Sequence, residues 1–469
     1  MLRSTPPQPA LPTFVPVVVI GAGYAGLSAA LALHDHGVPV LVLEGADRVG
    51  GRIWSQRTPA GVLIDHGGQW VGPTQHKLLA LAGRFDCATF PTWDAGEHLE
   101  AWQDGTVRRY RGDGPDDAPG AAEYHEAMAR IDAMAKEVDL SDPGSGPTAG
   151  DRDSETVHSY FRRTVACPAA RVRLDLAVQG VLAMEPREVS VLHLAFYVAS
   201  AGGFAQLMET RGAAQDARFT GGAQAPARAI AEHLGDSVHL GVPVTAVEQR
   251  SDLVEVRTGA GVVRARHVVV ATPPPATAAI RFLPALPAAR ARWIQRSVMG
   301  DVAKVHVVYP RPFWRAAGLS GVASVYDEST FGVVFDNSPP NADRGVLVAF
   351  SYGDRLRRWS ALGPGERRAD VLRTLARLFG PAAREPIDYL EKIWPEDPWA
   401  RGGYAANPAP GSWLAHGRTG WREPCGRIHW AGAETASRWN GYMDGAISSG
   451  ERAAGEILLA LAERASRSG

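Results

Sequence analysis

Cysteine is scarce in this chain. Cys87, Cys167 and Cys425 are odd in number and far apart in 469 residues. They can build neither a disulfide framework nor a CxxC metal site, which fits a reducing, cytoplasmic setting. A surplus of either charge is also missing, since 49 Lys and Arg face 50 Asp and Glu. Nucleic acid or an anionic membrane surface calls for a basic excess, so neither is expected as a partner. No run of about 18 apolar residues occurs, and Met1-Leu2-Arg3-Ser4-Thr5-Pro6-Pro7 holds no apolar signal core. The closing residues, 458–469, are too short and too charged to span a bilayer. The 14 histidines are scattered, with no metal-ligand spacing and no Ser-His-Asp order, so no metal is expected. What remains is an ordinary globular composition, 45% hydrophobic and 21% charged, at a length that suits two domains. Its Ala-, Arg- and Gly-rich usage points to a bacterial source.

An apolar, β-branched run at residues 15–20 is too short for a helix and reads as a buried parallel strand. It ends in Gly21-Ala22-Gly23-Tyr24-Ala25-Gly26, a GxGxxG. Residues 27–36 have apolar side chains at helical spacing and stop at Gly37, and 38–43 read as a second strand ending at Glu44. In this β-α-β order Gly21 permits a tight turn and Gly23 lets backbone amides approach a pyrophosphate. Gly26 lets the helix pack on the strand, and Glu44, 23 residues after Gly21, can accept ribose hydroxyls. The unit predicts a dinucleotide site, for FAD or NAD. Elsewhere, 1–13 reads as a Pro-rich tail, and 111–122 and 139–155 as loops. Residues 123–137 and 156–206 read as mostly helical. Strands are expected within 238–272, 302–309 and 330–352, and a long helix from about 445 to 466.

After Glu44 comes Arg48-Val49-Gly50-Gly51-Arg52, two arginines on a diglycine turn that can neutralise a pyrophosphate. Together these motifs resemble the flavin-containing amine oxidase superfamily. The stretch Asp65-His66-Gly67-Gly68-Gln69-Trp70-Val71-Gly72-Pro73-Thr74-Gln75 is similar to the monoamine oxidase segment that borders flavin and substrate. Gly221-Gly222-Ala223-Gln224 and then Gly241-Val242-Pro243-Val244 resemble the segment in which a backbone group beside Val244 meets the adenine. The end of the chain is similar almost residue for residue: Gly432-Ala433-Glu434-Thr435, then Trp439-Asn440-Gly441-Tyr442-Met443-Asp444-Gly445-Ala446 before a helix. That helix N-terminus can place positive partial charge near the flavin.

The resemblance implies a Rossmann-type α/β FAD-binding domain, discontinuous over 13–82, 218–290 and 400–466. An α+β substrate domain would then cover 83–217 and 291–399. It further implies that Gly21, Gly23, Ala25, Gly26, Glu44, Arg48, Gly51, Arg52, Gly68, Gln69, Trp70, Val244, Trp394, Gly432, Glu434, Tyr442, Met443 and Ala446 hold FAD. Lys304 lies in the apolar strand 302–309, sharing a face with Val302 and His306 by alternation. Read from the strand alone it is a snorkelling edge residue. The following Pro310-Arg311-Pro312-Phe313-Trp314 is similar to the family segment after the lysine that reaches flavin N5 through a water. Tyr442 would form one aromatic wall that holds the amine, and Tyr404 the other. Monoamine oxidases carry the flavin-attaching cysteine beside the position of Tyr404; this chain has none, so FAD is expected to bind noncovalently. With the one-residue gap in this chain placed later, Tyr404 would fall on the family's cysteine and Ala405 on its tyrosine. Gln215, Met208, Leu182, Phe350 and Trp70 are the candidate substrate-cavity residues.

The implied reaction is oxidation of an amine C–N bond to an imine, which hydrolyses to a carbonyl compound while O₂ becomes H₂O₂. The partners would be a small amine and O₂, and a homodimer stays open. An L-amino-acid oxidase shares these motifs but needs a cation for the substrate carboxylate, for which Arg211 and Arg218 are candidates. A dehydrogenase or desaturase that avoids oxygen is a further alternative. A non-catalytic flavin-binding protein is disfavoured by intact Lys304 and Tyr442.

Overall fold

Two large sheets organise the chain, and each is built from segments distant in sequence. The computed structural model describes residues 11–468 apart from 113 and 115–117, so most of the Pro-rich tail expected at 1–13 lies outside the described residues. The first sheet starts from the β-α-β unit: strand β1 (Phe14–Ile20), helix α1 (Tyr24–Asp35) and strand β2 (Val40–Leu43). β1 pairs in parallel with β2 on one side and with Gly261–Val270 on the other. Its four residues from Val17 to Ile20 are almost fully buried, as a central parallel strand covered on both faces requires. The antiparallel strands Val244–Gln249 and Val254–Thr258 extend this sheet, and Ile428–Trp430 joins in parallel beside Gly261–Val270.

The helix begins at Tyr24 rather than at residue 27, because the second half of the glycine motif is already its first turn. A Cβ on Gly26 would stand 1.9 Å from the Gly21 carbonyl oxygen, so only glycine lets α1 lie this close to β1. The C-terminal helix, Met443–Ser468, packs on the outside of α1 by the same device, since a Cβ on Gly450 would meet the Ala25 oxygen at 2.1 Å.

The second sheet contains β3 (Glu97–Ala101), β4 (Val302–Tyr309), β5 (Leu319–Val325), β6 (Val333–Asp336) and β7 (Gly345–Tyr352). Across the sheet the order is Asp388–Ile393, β4, β7, β6, β5, β3 and Val107–Tyr110. β4 is therefore an interior strand, and all eight of its residues are buried. The helix Pro364–Phe379 packs on this sheet in a common core, while α2 (Pro168–Leu182) and Val191–Ala201 belong to a separate helical core that roofs the central cavity through Arg173, Ala177 and Tyr197. The stretch 139–155 departs from the loop reading, because Ala149–Ser154 is helical. Distant partners supply what its local composition lacks: the Asp153 carboxylate accepts from Ser190 Oγ at 3.1 Å and from the Leu414 amide at 3.1 Å. Among the described residues no helix is long and apolar enough to cross a membrane.

Candidate functional site

A single continuous cavity runs from the glycine motif, between the two sheets, to the helical roof. At its first end stand Gly21, Gly23, Ala25, Glu44, Arg48 and Gly51, with Val244 opposite. Gly21 has φ +103°, a conformation that favours glycine. A Cβ on Gly23 would find nothing nearer than the Gly50 oxygen at 4.0 Å, so the N-terminus of α1 opens onto free space. The Glu44 carboxylate is oriented by two amides, Ala22 at 2.6 Å and Ala46 at 2.8 Å, which leaves further lone pairs for a ribose. Burial pushes its pKa up. These features fit the ADP half of FAD: an open helix N-terminus, glycines bordering free space and a fixed carboxylate acceptor.

Two of the expected FAD contacts also shape the protein itself. Arg48 lines the cavity but spends its guanidinium on the carbonyls of Gly51, at 2.8 Å, and Ile53, at 3.1 Å, so it shapes the diglycine turn. Gly26 is not a lining residue; it serves the helix–strand approach described above.

The middle of the cavity is lined by Arg52, Gly68, Gln69, Trp70, Lys304 and Trp394, and on its other side by Gly432, Met443 and Ala446. Lys304 is 2% exposed on an interior strand, which overturns the edge-residue reading. Its Nζ donates to Asp65 O at 2.7 Å, Gly67 O at 2.9 Å and Gln69 Oε1 at 2.5 Å. Burial pulls its pKa down to about 7, while three oxygen acceptors suit an ammonium with three N–H groups. Trp394 Nε1 donates to His66 O at 2.8 Å, so lysine and tryptophan together fix the 65–69 loop. His66, with its pKa lowered to about 4, and His306, lowered well below its usual value, are kept neutral mainly by burial. Trp70 and Phe350 stack at 5.8 Å beside the ammonium.

Tyr404 and Tyr442 line the same region. The Tyr404 hydroxyl donates to Tyr352 Oη at 3.0 Å, and Tyr442 is hydrogen-bonded to Tyr197. All four phenols are raised in pKa by burial and stay neutral. The two loops that carry the tyrosines meet at Glu434, which does not line the cavity. Its carboxylate takes Arg52 at 2.6 and 3.0 Å and the Ala406 amide at 3.0 Å, and Arg52 in turn donates to Tyr404 O at 2.8 Å. Although burial works against it, the Arg52 guanidinium holds the Glu434 carboxyl below its usual range. Glu434 therefore positions Arg52 and the Tyr404 loop instead of facing the cavity.

Gln215, Met208, Phe350 and Trp70 line the half of the cavity nearer the helical roof. Leu182 is displaced: it packs in the helical core at 2% exposure, and Gly180 and Val181 line the wall in its place. Two buried polar atoms of these residues, Trp70 Nε1 and Gln215 Oε1, have no hydrogen-bond partner within the protein. Arg211 and Arg218 do not reach the cavity. Arg211 pairs with Asp94 on the surface, and Arg218 donates to Ser338 O at 3.1 Å beneath Phe90. Sequence reasoning missed Tyr352, Tyr197, Phe335, Tyr326 and Arg173, all lining residues. For Tyr352 a signal existed, since it follows Phe350 by two residues on a strand and so shares its face. None of the three cysteines lines the cavity.

Comparison with known proteins gives a consistent result. The family described as flavin containing amine oxidoreductase matches residues 24–458. A protein of Mycobacterium tuberculosis named as a flavin-containing monoamine oxidase, AofH, is 39% identical over 96% of this chain and 98% of its own length. The L-amino acid dehydrogenase of a Synechocystis strain is 36% identical over 94% of each chain. Among solved structures, wild-type putrescine oxidase bound to putrescine superposes with a TM-score of 0.92 at 33% identity, over 96% of this chain and 100% of that one. Cyclohexylamine oxidase from Brevibacterium oxydans gives a TM-score of 0.92 at 35% identity, over 95% and 99%.

Proposed function

Because this chain belongs to the flavin-containing amine oxidoreductase family, we propose that it is an oxidase using noncovalent FAD. It would oxidise the C–N bond of an amine to an imine, which hydrolyses to a carbonyl compound, with O₂ reduced to H₂O₂. The observation that carries this reading is one cavity joining an open dinucleotide cradle at Gly23 and Glu44, a buried lysine and two tyrosines. FAD, when bound, supplies the hydride acceptor and the route of electrons to oxygen.

The chain's own residues would bind, orient and shield. Residues 13–82, 218–290 and 400–466 form the proposed FAD domain, with 83–217 and 291–399 as the substrate domain. Glu44 accepts ribose hydroxyls, while Arg52, Gly68, Gln69, Val244, Trp394, Gly432, Met443 and Ala446 surround the rest of the cofactor. Tyr404 and Tyr442 hold the amine, whose neutral form is favoured between buried, uncharged phenols. Gln215 Oε1, lacking a protein partner, offers an acceptor for an amine N–H. Lys304, as an ammonium, stabilises negative charge developing on oxygen.

A second reading, oxidation of an amino acid, draws support from the Synechocystis relative. It requires a cation for the α-carboxylate, and the positions of Arg211 and Arg218 count against both of them. A peroxide assay of the FAD-loaded protein over monoamines, diamines and amino acids tests the proposal. Peroxide from amines is the expected result, and peroxide from amino acids alone would favour the second reading.

A further inference from the structure

A straight row of side chains crosses the second sheet along the cavity floor. The register pairs Lys304 with Phe350, Phe350 with Val333, Val333 with Ser324, and Ser324 with Glu100. Residues directly opposed on neighbouring strands point to the same face, and Lys304, Phe350, Val333 and Ser324 all line the cavity. Four strand spacings of about 4.8 Å put the two ends of the row roughly 19 Å apart. One end is the lysine beside the proposed flavin position; the other is a carboxylate.

That carboxylate is not offered to the cavity. Glu100 is 1% exposed, and Arg173, reaching down from α2, engages both of its oxygens, at 2.6 and 2.7 Å. Arg173 is the member that lines the cavity. Its guanidinium lies beside the contacting pair of Trp102 and Tyr326, 4.9 and 5.1 Å from their ring centres, and donates further to Pro119 O at 3.3 Å and Tyr326 Oη at 3.4 Å. Four of the five N–H groups of an arginine are thereby engaged, so no free fork remains for a second carboxylate.

We propose that the Arg173–Glu100 pair is the selector at the far end of the substrate cavity, admitting monoamines with an apolar body and rejecting α,ω-diamines. The proposal rests on the amine-oxidation reading for the reacting end. A second ammonium reaching along the row leaves water for the apolar walls of Phe350, Val333 and Phe335, and then meets a guanidinium. It finds no free carboxylate there, because Arg173 holds both oxygens of Glu100, and an unpaired charge in such a place is strongly unfavourable. An ω-carboxylate fares no better, since the guanidinium is already spent on Glu100. Arg173 withholds the one carboxylate of the row that could hold a distal cation.

The test compares n-alkylamines with α,ω-diamines of the same chain length on the FAD-loaded enzyme. For wild type, the monoamine is favoured by about tenfold or more in kcat/KM, the difference falling in KM and growing as the diamine reaches the far end. R173Q releases the Glu100 carboxylate and shifts the ratio towards diamines by about tenfold, whereas R173K retains the wild-type preference. E100Q leaves the guanidinium uncompensated and shifts preference towards ω-aminocarboxylates. S324D adds a carboxylate one strand nearer the lysine without breaking the buried pair, and shifts the ratio in the same direction as R173Q. Wild type treating both amines alike overturns the proposal; so does an unmoved ratio in folded, FAD-loaded S324D. Calorimetric binding of the same pairs without oxygen separates the two readings. Preferred monoamine binding without turnover of any amine overturns amine oxidation and leaves the selector standing, whereas equal binding overturns the selector.

Discussion

Lys304 is held on an interior strand with its Nζ donating to Asp65 O, Gly67 O and Gln69 Oε1. Alternation along its strand correctly gives it a common face with Val302 and His306, but alternation carries no information about which strands lie alongside. The neighbours come from 345–352 and 388–393, and that pairing turns an edge lysine into a buried one. The proposed role makes a kinetic prediction. Lys304→Met removes a fixed positive charge, so reoxidation in air should slow by about 10²–10³ while anaerobic reduction by substrate changes less. Tyr442→Ala should show the reverse in stopped-flow absorbance, since it loosens the slot that aligns the amine. The pH dependence has a definite sign. With the lysine pKa lowered to about 7, its charge is present below that value and lost above it. The oxygen step should therefore slow as pH rises through about 7, and Lys304→Met should lack that limb. Glu44→Ala should weaken FAD retention by about 1.5–3 kcal/mol through lost hydrogen bonds to a charged acceptor; FAD binding to the apoprotein measures it.

Among the elements, the first β-α-β unit was legible because everything that defines it is local. The strand runs, the glycine spacing and the acid at the second strand's end all fall within thirty or so residues, and only boundaries shifted, the helix starting at Tyr24 and the second strand at Val40. A Gly26→Ala protein should lose about 1–3 kcal/mol of stability and bind FAD poorly, because its Cβ would stand 1.9 Å from the Gly21 oxygen. A thermal melt with flavin content checks both effects. The junction at Glu434 was legible as a motif but not as a geometry. The sequence marks Arg52 and Glu434 as important, yet their pairing spans 382 positions. Glu434→Gln leaves a mostly buried guanidinium unpaired and should cost about 3 kcal/mol. It should also impair the amine step more than the oxygen step, since Arg52 holds the Tyr404 backbone.

At the scale of the whole molecule, the cavity exists because segments spread from Ile20 to Ala446 close around it. That is why its far end escaped the sequence. Arg173 and Glu100 are 73 positions apart, and no motif joins them. The flavin attachment is likewise a property of the whole cavity, since no cysteine among the described residues lines it. Acid precipitation should leave the flavin in the supernatant, whereas flavin carried down with the pellet would show a covalent link. The most direct test of amine oxidation is an anaerobic titration of the purified yellow protein with a cyclic or aromatic monoamine, followed by admission of air. The account predicts that the flavin band bleaches with one carbonyl product per flavin, and that air restores the colour with one peroxide. Bleaching by amino acids alone, or colour that air does not restore, would contradict it.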